Sequence, residues 1–298
     1  MHNQEIVLEE TKNANVQLFI KREDLIHPFI SGNKFRKLKY NIAEAKRLNH
    51  DTLLTFGGAY SNHIAATAYA GFENNLKTIG VIRGEELLDK VEENPTLSFA
   101  KKHGMSFKFV SRSDYRRKEE PAFIASLKNT YHNSFIIPEG GTNELAVKGC
   151  EEILEKEDFD FDFICVAVGT GGTISGLINC SQLRQQVLGF PALKGNFLQT
   201  EICKFAHQVN WNLHTDYHFG GYAKADKELV NFLNCFKEKT DIPLDPVYTG
   251  KMMFGILDLI KKGYFKENTK ILAIHTGGLQ GISGMNIRLK QKNLPLIK

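Results

Sequence analysis

The run Phe163-Ile164-Cys165-Val166-Ala167-Val168-Gly169-Thr170-Gly171-Gly172-Thr173 decides the architecture. Its first six residues are nearly all apolar, as a strand buried on both faces should be. Glycines end the strand and a helix start follows. Such a turn gathers several backbone N–H groups around one point, and the helix dipole adds positive potential there, so a phosphate fits. The glycines let the backbone approach a ligand without a Cβ clash. The segment is not a Walker loop, because G-x-x-x-x-G-K-[ST] is absent. Nor is it G-x-G-x-x-G, because Ile174 takes the third glycine position. A tight strand-to-helix turn with no ligand is the competing reading.

Working outward, the same order of apolar run, glycines and helical pattern recurs. Leu53-Leu54-Thr55-Phe56 leads into Gly57-Gly58 and the small-residue stretch from Ile64 to Ala70, and Ile271-Leu272-Ala273-Ile274 leads into His275-Thr276-Gly277-Gly278. Between them Thr78 to Ile82, Phe107 to Val110 and Phe135-Ile136-Ile137 read as short strands. Strands alternating with helices predict βα units and a largely parallel sheet, an α/β fold. Phe35, Leu38, Ile42, Ala45 and Leu48 fall at helical spacing, which predicts a helix that begins close to Lys34 and buries that stripe. No composition shift marks a domain boundary, and the residues alone leave open whether there are one or two sheets.

The 298 residues are 42% hydrophobic and 24% charged, ordinary globular usage that excludes disordered and collagen-like classes. The net charge of +4 is mild, and acids and bases interleave, as from Asp114 to Glu120, so no nucleic-acid footprint is expected. The cysteines, Cys150, Cys165, Cys180, Cys203 and Cys235, are odd in number and form no C-x-x-C pair. That argues against a disulfide framework or a metal site and for a reducing compartment. The first residues are polar with no signal-peptide core, and no apolar run is long enough to span a bilayer. The expectation is a soluble cytoplasmic protein with no membrane, metal or nucleic-acid partner.

Lys34 lies in Gly32-Asn33-Lys34-Phe35-Arg36-Lys37. The bland reading is a solvated basic helix start. The functional reading needs an amine that can be neutral, its usual pKa of ~10.4 lowered by burial or by cationic neighbours, for which Arg36 and Lys37 are candidates. Ser61-Asn62-His63 follow the Gly57-Gly58 turn. They are either helix caps or groups facing a sheet-edge crevice. His63 reads as a base or a polar helix residue. Tyr222 and Tyr248 say little individually.

Lys21-Arg22-Glu23-Asp24-Leu25, Ser31-Gly32-Asn33-Lys34, Gly57-Gly58-Ala59-Tyr60-Ser61-Asn62-His63, Val168 to Thr173 and Asp245-Pro246-Val247-Tyr248-Thr249-Gly250-Lys251 occur in this order. Together they resemble the D-cysteine desulfhydrase and 1-aminocyclopropane-1-carboxylate deaminase family of tryptophan-synthase β-like pyridoxal-phosphate enzymes. The resemblance runs from about Lys21 to Gly278. It implies two open, mostly parallel sheets flanked by helices, PLP fold type II. The large cofactor-binding domain would comprise residues 1–39 and 144–298, and a smaller α/β domain, residues 40–143, would be inserted. It implies pyridoxal 5'-phosphate as cofactor, a small amino acid as substrate and a homodimer. Lys34 looks like the Schiff-base lysine. Lys37 and Thr170-Gly171-Gly172-Thr173 look like phosphate contacts. Asn62 matches the partner of the cofactor's phenolic oxygen, and Thr249 that of the pyridine nitrogen. Ser61 matches a substrate-carboxylate and proton-transfer position, Tyr222 and Tyr248 match two catalytic tyrosines, and His63 falls with the substrate contacts.

As the family is known, enzymes that open the cyclopropane ring carry Glu at the pyridine-nitrogen position, and desulfhydrases carry Thr. Thr249 therefore favours a lyase that eliminates thiolate from D-cysteine, leaving pyruvate and ammonia. The alternatives are 1-aminocyclopropane-1-carboxylate deaminase (a hydrolase), racemisation or dehydration of a D-amino acid, and a non-catalytic binding protein. The segment from Leu193 to Phe219 departs from the helices expected of the family there.

Overall fold

A computed structural model describes residues 2–298. The strand that opened the sequence reading is β7 (Phe163–Val168), and it lies inside a six-stranded sheet. Its side chains divide by parity, as a two-sided strand demands. Cys165 and Ala167 join a core with Met252, Met253 and Ile256. Ile164, Val166 and Val168 join a second core with Leu177, Ile178 and Ile202 on the other face. Each fully buried Val, Leu or Ile contributes about 1.5–3 kcal/mol of transfer free energy, so this central strand is a principal anchor of the fold.

The six-stranded sheet has the order β1-β2-β10-β7-β8-β9, built from β1 (Asn3–Ile6), β2 (Gln17–Lys21), β8 (Gln186–Pro191), β9 (Trp211–Leu213) and β10 (Lys270–Ile274) around β7. Only the β1–β2 pair is antiparallel. A second sheet has the order β5-β4-β3-β6, from β3 (Thr52–Gly57), β4 (Lys77–Arg83), β5 (Met105–Val110) and β6 (Ser134–Ile137), all parallel. The protein is thus an α/β molecule with two mostly parallel sheets flanked by helices.

All six strands read from the sequence are present. β1, β2, β8 and β9 escaped that reading. β8 ends in Pro191 and has Gly189 at its centre, and β9 has three residues. The helix near Lys34 runs Asn33–Arg47 and buries Leu38 and Ala45. Leu48 leaves the predicted stripe: the helix stops at Arg47, the chain reverses through Asn49 at φ 58°, and Leu48 is 44% exposed. Between Leu193 and Phe219 stand a short helix, Phe197–Cys203, and the edge strand β9.

In the large sheet the chain moves from β7 to β8 on one side, while β10 enters on the other. Open α/β sheets bind ligands at such a reversal, outside the carboxyl ends of the strands. At that end stand the Gly169–Gly171 turn after β7 and the His275–Gly278 turn after β10. The Gly140–Thr142 turn after β6 faces them, with Thr142 Oγ1 2.6 Å from Thr170 Oγ1.

Candidate active site

The helix carrying Lys34 is aimed into this crevice by a buried ion-pair set. Arg36 donates to both carboxylate oxygens of fully buried Glu23 at 2.9 Å, and Lys21 donates to Asp158 at 2.6 Å. Gly32 permits the entry. Its φ is +61°, and a Cβ there would lie 2.0 Å from the Thr276 carbonyl oxygen. Lys34, half-buried, donates to Asn33 Oδ1 at 3.2 Å, and Asn33 donates to Thr173 Oγ1 at 2.8 Å. Burial, and after it the nearby Lys37 ammonium, lowers the Lys34 amine to about 7. Of the two cationic neighbours expected, Lys37 acts. Arg36 is committed to Glu23 and to Glu152.

One helical turn on, Lys37 is 2% exposed and, among the described residues, pairs with no carboxylate. Its ammonium donates to the Gly140 carbonyl at 3.1 Å and to Thr142 Oγ1 at 3.0 Å. The helix Gly172–Cys180 starts beside it, entered through Gly171 at φ +89°, and no side chain caps it. Its first N–H groups therefore have no partner from within the helix. A Cβ on Gly172 would come within 2.9 Å of Thr142 Oγ1 and 3.0 Å of Lys37 Nζ. Ammonium, hydroxyls and N–H groups thus line one small cradle made of donors.

Ser61 caps the helix Asn62–Glu73, its Oγ accepting from the Ile64 N–H at 3.3 Å. Among the described residues nothing takes the Ser61 hydroxyl proton. Asn62 reaches across to the other sheet, accepting from Gln280 Nε2 at 3.0 Å, with its Nδ2 against Gly278. His63 is 1% exposed. Thr55 donates to the Ile137 carbonyl, so it must accept from His63 Nε2–H at 2.8 Å, which leaves Nδ1 a bare acceptor. That buried Nδ1 has no partner, and burial followed by Lys34 and Lys37 holds the imidazole well below its usual pKa. His63 is a neutral acceptor here.

Tyr248 is the N-cap of the helix Thr249–Lys261 and packs over Gly169. Its ring meets that of Tyr222 edge-on at 6.2 Å. Burial pushes the Tyr248 phenol above its usual pKa, whereas Tyr222 is 43% exposed. Thr249 is fully buried. It donates to Asp245 Oδ2 at 2.8 Å and accepts from the Asp245 N–H at 2.9 Å. Burial pushes the Asp245 carboxyl up, against the N–H bonds it accepts from Val247, Tyr248 and Thr249.

The crevice thus gathers Lys34, Lys37, Ser61, Asn62, His63, the Thr170–Thr173 loop and the Tyr222–Tyr248 pair, with Thr249 packed behind Tyr248. Sequence reasoning missed Thr142 and Asp245. Glu139-Gly140-Gly141-Thr142 follows a strand as the other glycine turns do, and that signal was available.

A family model described as pyridoxal-phosphate dependent enzyme matches residues 7–277. The chain belongs to that family. It is therefore an enzyme that uses pyridoxal phosphate, and its relatives act on small amino acids. A mitochondrial bifunctional D-cysteine desulfhydrase/1-aminocyclopropane-1-carboxylate deaminase of Arabidopsis thaliana is 34% identical, over 89% of this chain and 73% of its own length. A 1-aminocyclopropane-1-carboxylate deaminase of Rhizobium rhizogenes is 31% identical, over 93% of this chain and 91% of its own. The crystal structure of an ACC deaminase homologue superposes with a TM-score of 0.85 at 28% identity, covering 97% of this chain and 93% of the other. A hydrogen sulfide-producing enzyme of Fusobacterium nucleatum, 16% identical with a TM-score of 0.67 over 94% of this chain and 95% of the other, shares the fold.

The site fits the cofactor on its own geometry. The donor-lined cradle that a Gly172 Cβ would fill suits a phosphate dianion, and the Lys34 amine, lowered to about 7, is readily available in its neutral form. Among the described residues no helix is long and apolar enough to cross a membrane, and no cluster of His, Cys, Asp and Glu suits a metal ion.

Proposed function

We propose that this enzyme eliminates thiolate from D-cysteine, with water then hydrolysing the remaining enamine to pyruvate and ammonia, and with Lys34 as both cofactor anchor and base. Bound pyridoxal phosphate supplies an electron sink for the pair left when the α-proton departs. Lys37 with Thr170, Gly171, Gly172 and Thr173 holds the phosphate. Asn62 takes the phenolic oxygen. Ser61, with the first N–H groups of its helix, binds the substrate carboxylate beside His63. Once released, the Lys34 amine is free to take the α-proton, because burial keeps it from being locked as an ammonium. Tyr222 and Tyr248 flank the reacting carbons and offer a hydroxyl proton to the departing thiolate.

The observation that carries the choice of reaction is Thr249. We assign it to the pyridine nitrogen, and its hydroxyl proton already goes to Asp245. It can offer the ring only a neutral oxygen. A neutral oxygen stabilises a protonated ring nitrogen less than a carboxylate does, so less charge is drawn from the α-carbon. Elimination of a good leaving group tolerates that better than opening a cyclopropane ring. The named relatives support the second reading, 1-aminocyclopropane-1-carboxylate deaminase. Assaying purified holoenzyme on both substrates separates them: sulfide and pyruvate from D-cysteine support elimination, and consumption of the cyclopropane substrate without sulfide release contradicts it.

We also propose the division into residues 1–39 plus 144–298 and an inserted 40–143. It is supported by β3 to β6, which all fall within the insertion, although the Asn33–Arg47 helix crosses its first boundary. A homodimer and a cytoplasmic location belong to the same reading, and sedimentation and fractionation test them.

A further inference from the structure

Lys251 is 1% exposed and, among the described residues, pairs with no carboxylate. Its ammonium donates to two backbone carbonyls, His218 O at 2.8 Å and Gly221 O at 2.8 Å. These two oxygens also close the turns around them, accepting from the Gly221 N–H at 3.0 Å and the Lys224 N–H at 3.2 Å. Tyr222 lies in the second of those turns. Its surroundings are conformationally unfavourable: Phe219 and Ala223 stand at φ 50° and 52°, and Gly220 and Gly221 at 86° and 114°. Non-glycine residues hold left-handed angles only where their environment fixes them.

That environment is one face of one helix. Tyr248, Lys251 and Phe254 lie three residues apart, so they share a face of the helix Thr249–Lys261 and its cap. Tyr248 meets Tyr222 edge-on at 6.2 Å, and Phe254 meets Phe219 edge-on at 4.9 Å. Lys251 stands between these aromatic contacts and supplies the polar one. Burying an ammonium is costly unless its hydrogen bonds are met, and here the loop carbonyls meet them. Loop and ammonium therefore stabilise each other.

We propose that Lys251 is a positioning residue that pins the 218–221 loop to the helix carrying Tyr248, and so fixes Tyr222 against Tyr248 across the substrate crevice. The functional half of this inference rests on the proposed reading of the two tyrosines. The conformational half does not.

Holoenzymes carrying Lys251→Met and Lys251→Gln test it. Hydrogen exchange of the Gly220, Gly221 and Lys224 amides is expected to quicken about tenfold or more in Lys251→Met, and less in Lys251→Gln, which keeps a shorter donor. The Lys227–Thr240 helix is expected to exchange as before. With D-cysteine, kcat is expected to fall about tenfold in Lys251→Met, with KM and the visible cofactor band within about twofold of the parent. In a Tyr222→Phe background the same substitution is expected to cost nothing further. Unchanged loop exchange overturns the proposal, as does an additive loss in the double variant. Failure of both variants to fold also overturns it, since Lys251 would then be a general core determinant. If the parent releases no sulfide, the assigned reaction fails, and the exchange measurement still decides the loop.

Discussion

The Thr249 hydroxyl donates to Asp245 Oδ2 at 2.8 Å and accepts from the Asp245 N–H at 2.9 Å, and both residues are buried. Thr249→Val keeps the shape and strands the Asp245 N–H, while Asp245 Oδ2 loses one donor and keeps the Thr249 N–H. Leaving buried polar groups unpaired costs about 1–3 kcal/mol, so the urea midpoint of the cofactor-free protein is expected to drop accordingly. An unchanged midpoint would show that the pair carries no net stabilisation.

Lys37 divides cofactor recognition into parts. On the proposed assignment its ammonium contacts the phosphate, so Lys37→Met is expected to weaken pyridoxal phosphate roughly tenfold to a hundredfold, the worth of about 1.5–3 kcal/mol for a charge-assisted hydrogen bond. Pyridoxal without the phosphate is expected to lose less, through the effect of Lys37 on the Lys34 amine only. Titrating each compound by absorbance checks this, and an equal loss for both would remove Lys37 from the phosphate site.

Gly172→Ala tests the same cradle sterically. The added methyl meets Thr142 Oγ1 at 2.9 Å and the flexible end of Lys37 at 3.0 Å. The cofactor-free fold is expected to lose less than about 1 kcal/mol, as side-chain ends can give way, while pyridoxal phosphate affinity falls at least about tenfold. Calorimetric titration against a thermal melt separates the two effects.

The Lys34 amine is lowered to about 7, by burial first and Lys37 second. In the unfolded chain a lysine titrates near ~10.4. Between those values the unfolded cofactor-free chain binds a proton that the folded chain lacks, so this group makes stability rise with pH across that window and contributes no slope below it. Lys34→Met is expected to flatten that part of the profile. Urea unfolding at pH ~7.5 and ~9.5 reads it, and an unchanged slope would mean that the amine is not held neutral.

Strand periodicity and glycine turns were enough to show βα units, because apolar runs such as Ile164 to Val168 are buried on both faces. They could not assign strands to two sheets, since pairing is a long-range choice that no local pattern records. The three-residue β9 and the interrupted β8 gave too little period to read. At the site, Lys34 became meaningful only through its order with other motifs. Its lowered pKa comes first from burial, which a basic hexapeptide does not show, and then from Lys37, which the hexapeptide offered beside Arg36 without saying which of the two acts. Thr142 escaped because it acts from the opposite sheet, and Lys251 because a lysine inside a helix normally reads as solvated.

Lys34 is the residue proposed to hold the cofactor. Purified protein saturated with pyridoxal phosphate should show a visible absorbance band, and borohydride reduction followed by peptide mass spectrometry should leave the cofactor mass on Lys34 alone. Lys34→Ala should lose both the band and the modified peptide. A modified lysine elsewhere, or a band that persists in Lys34→Ala, would contradict the account.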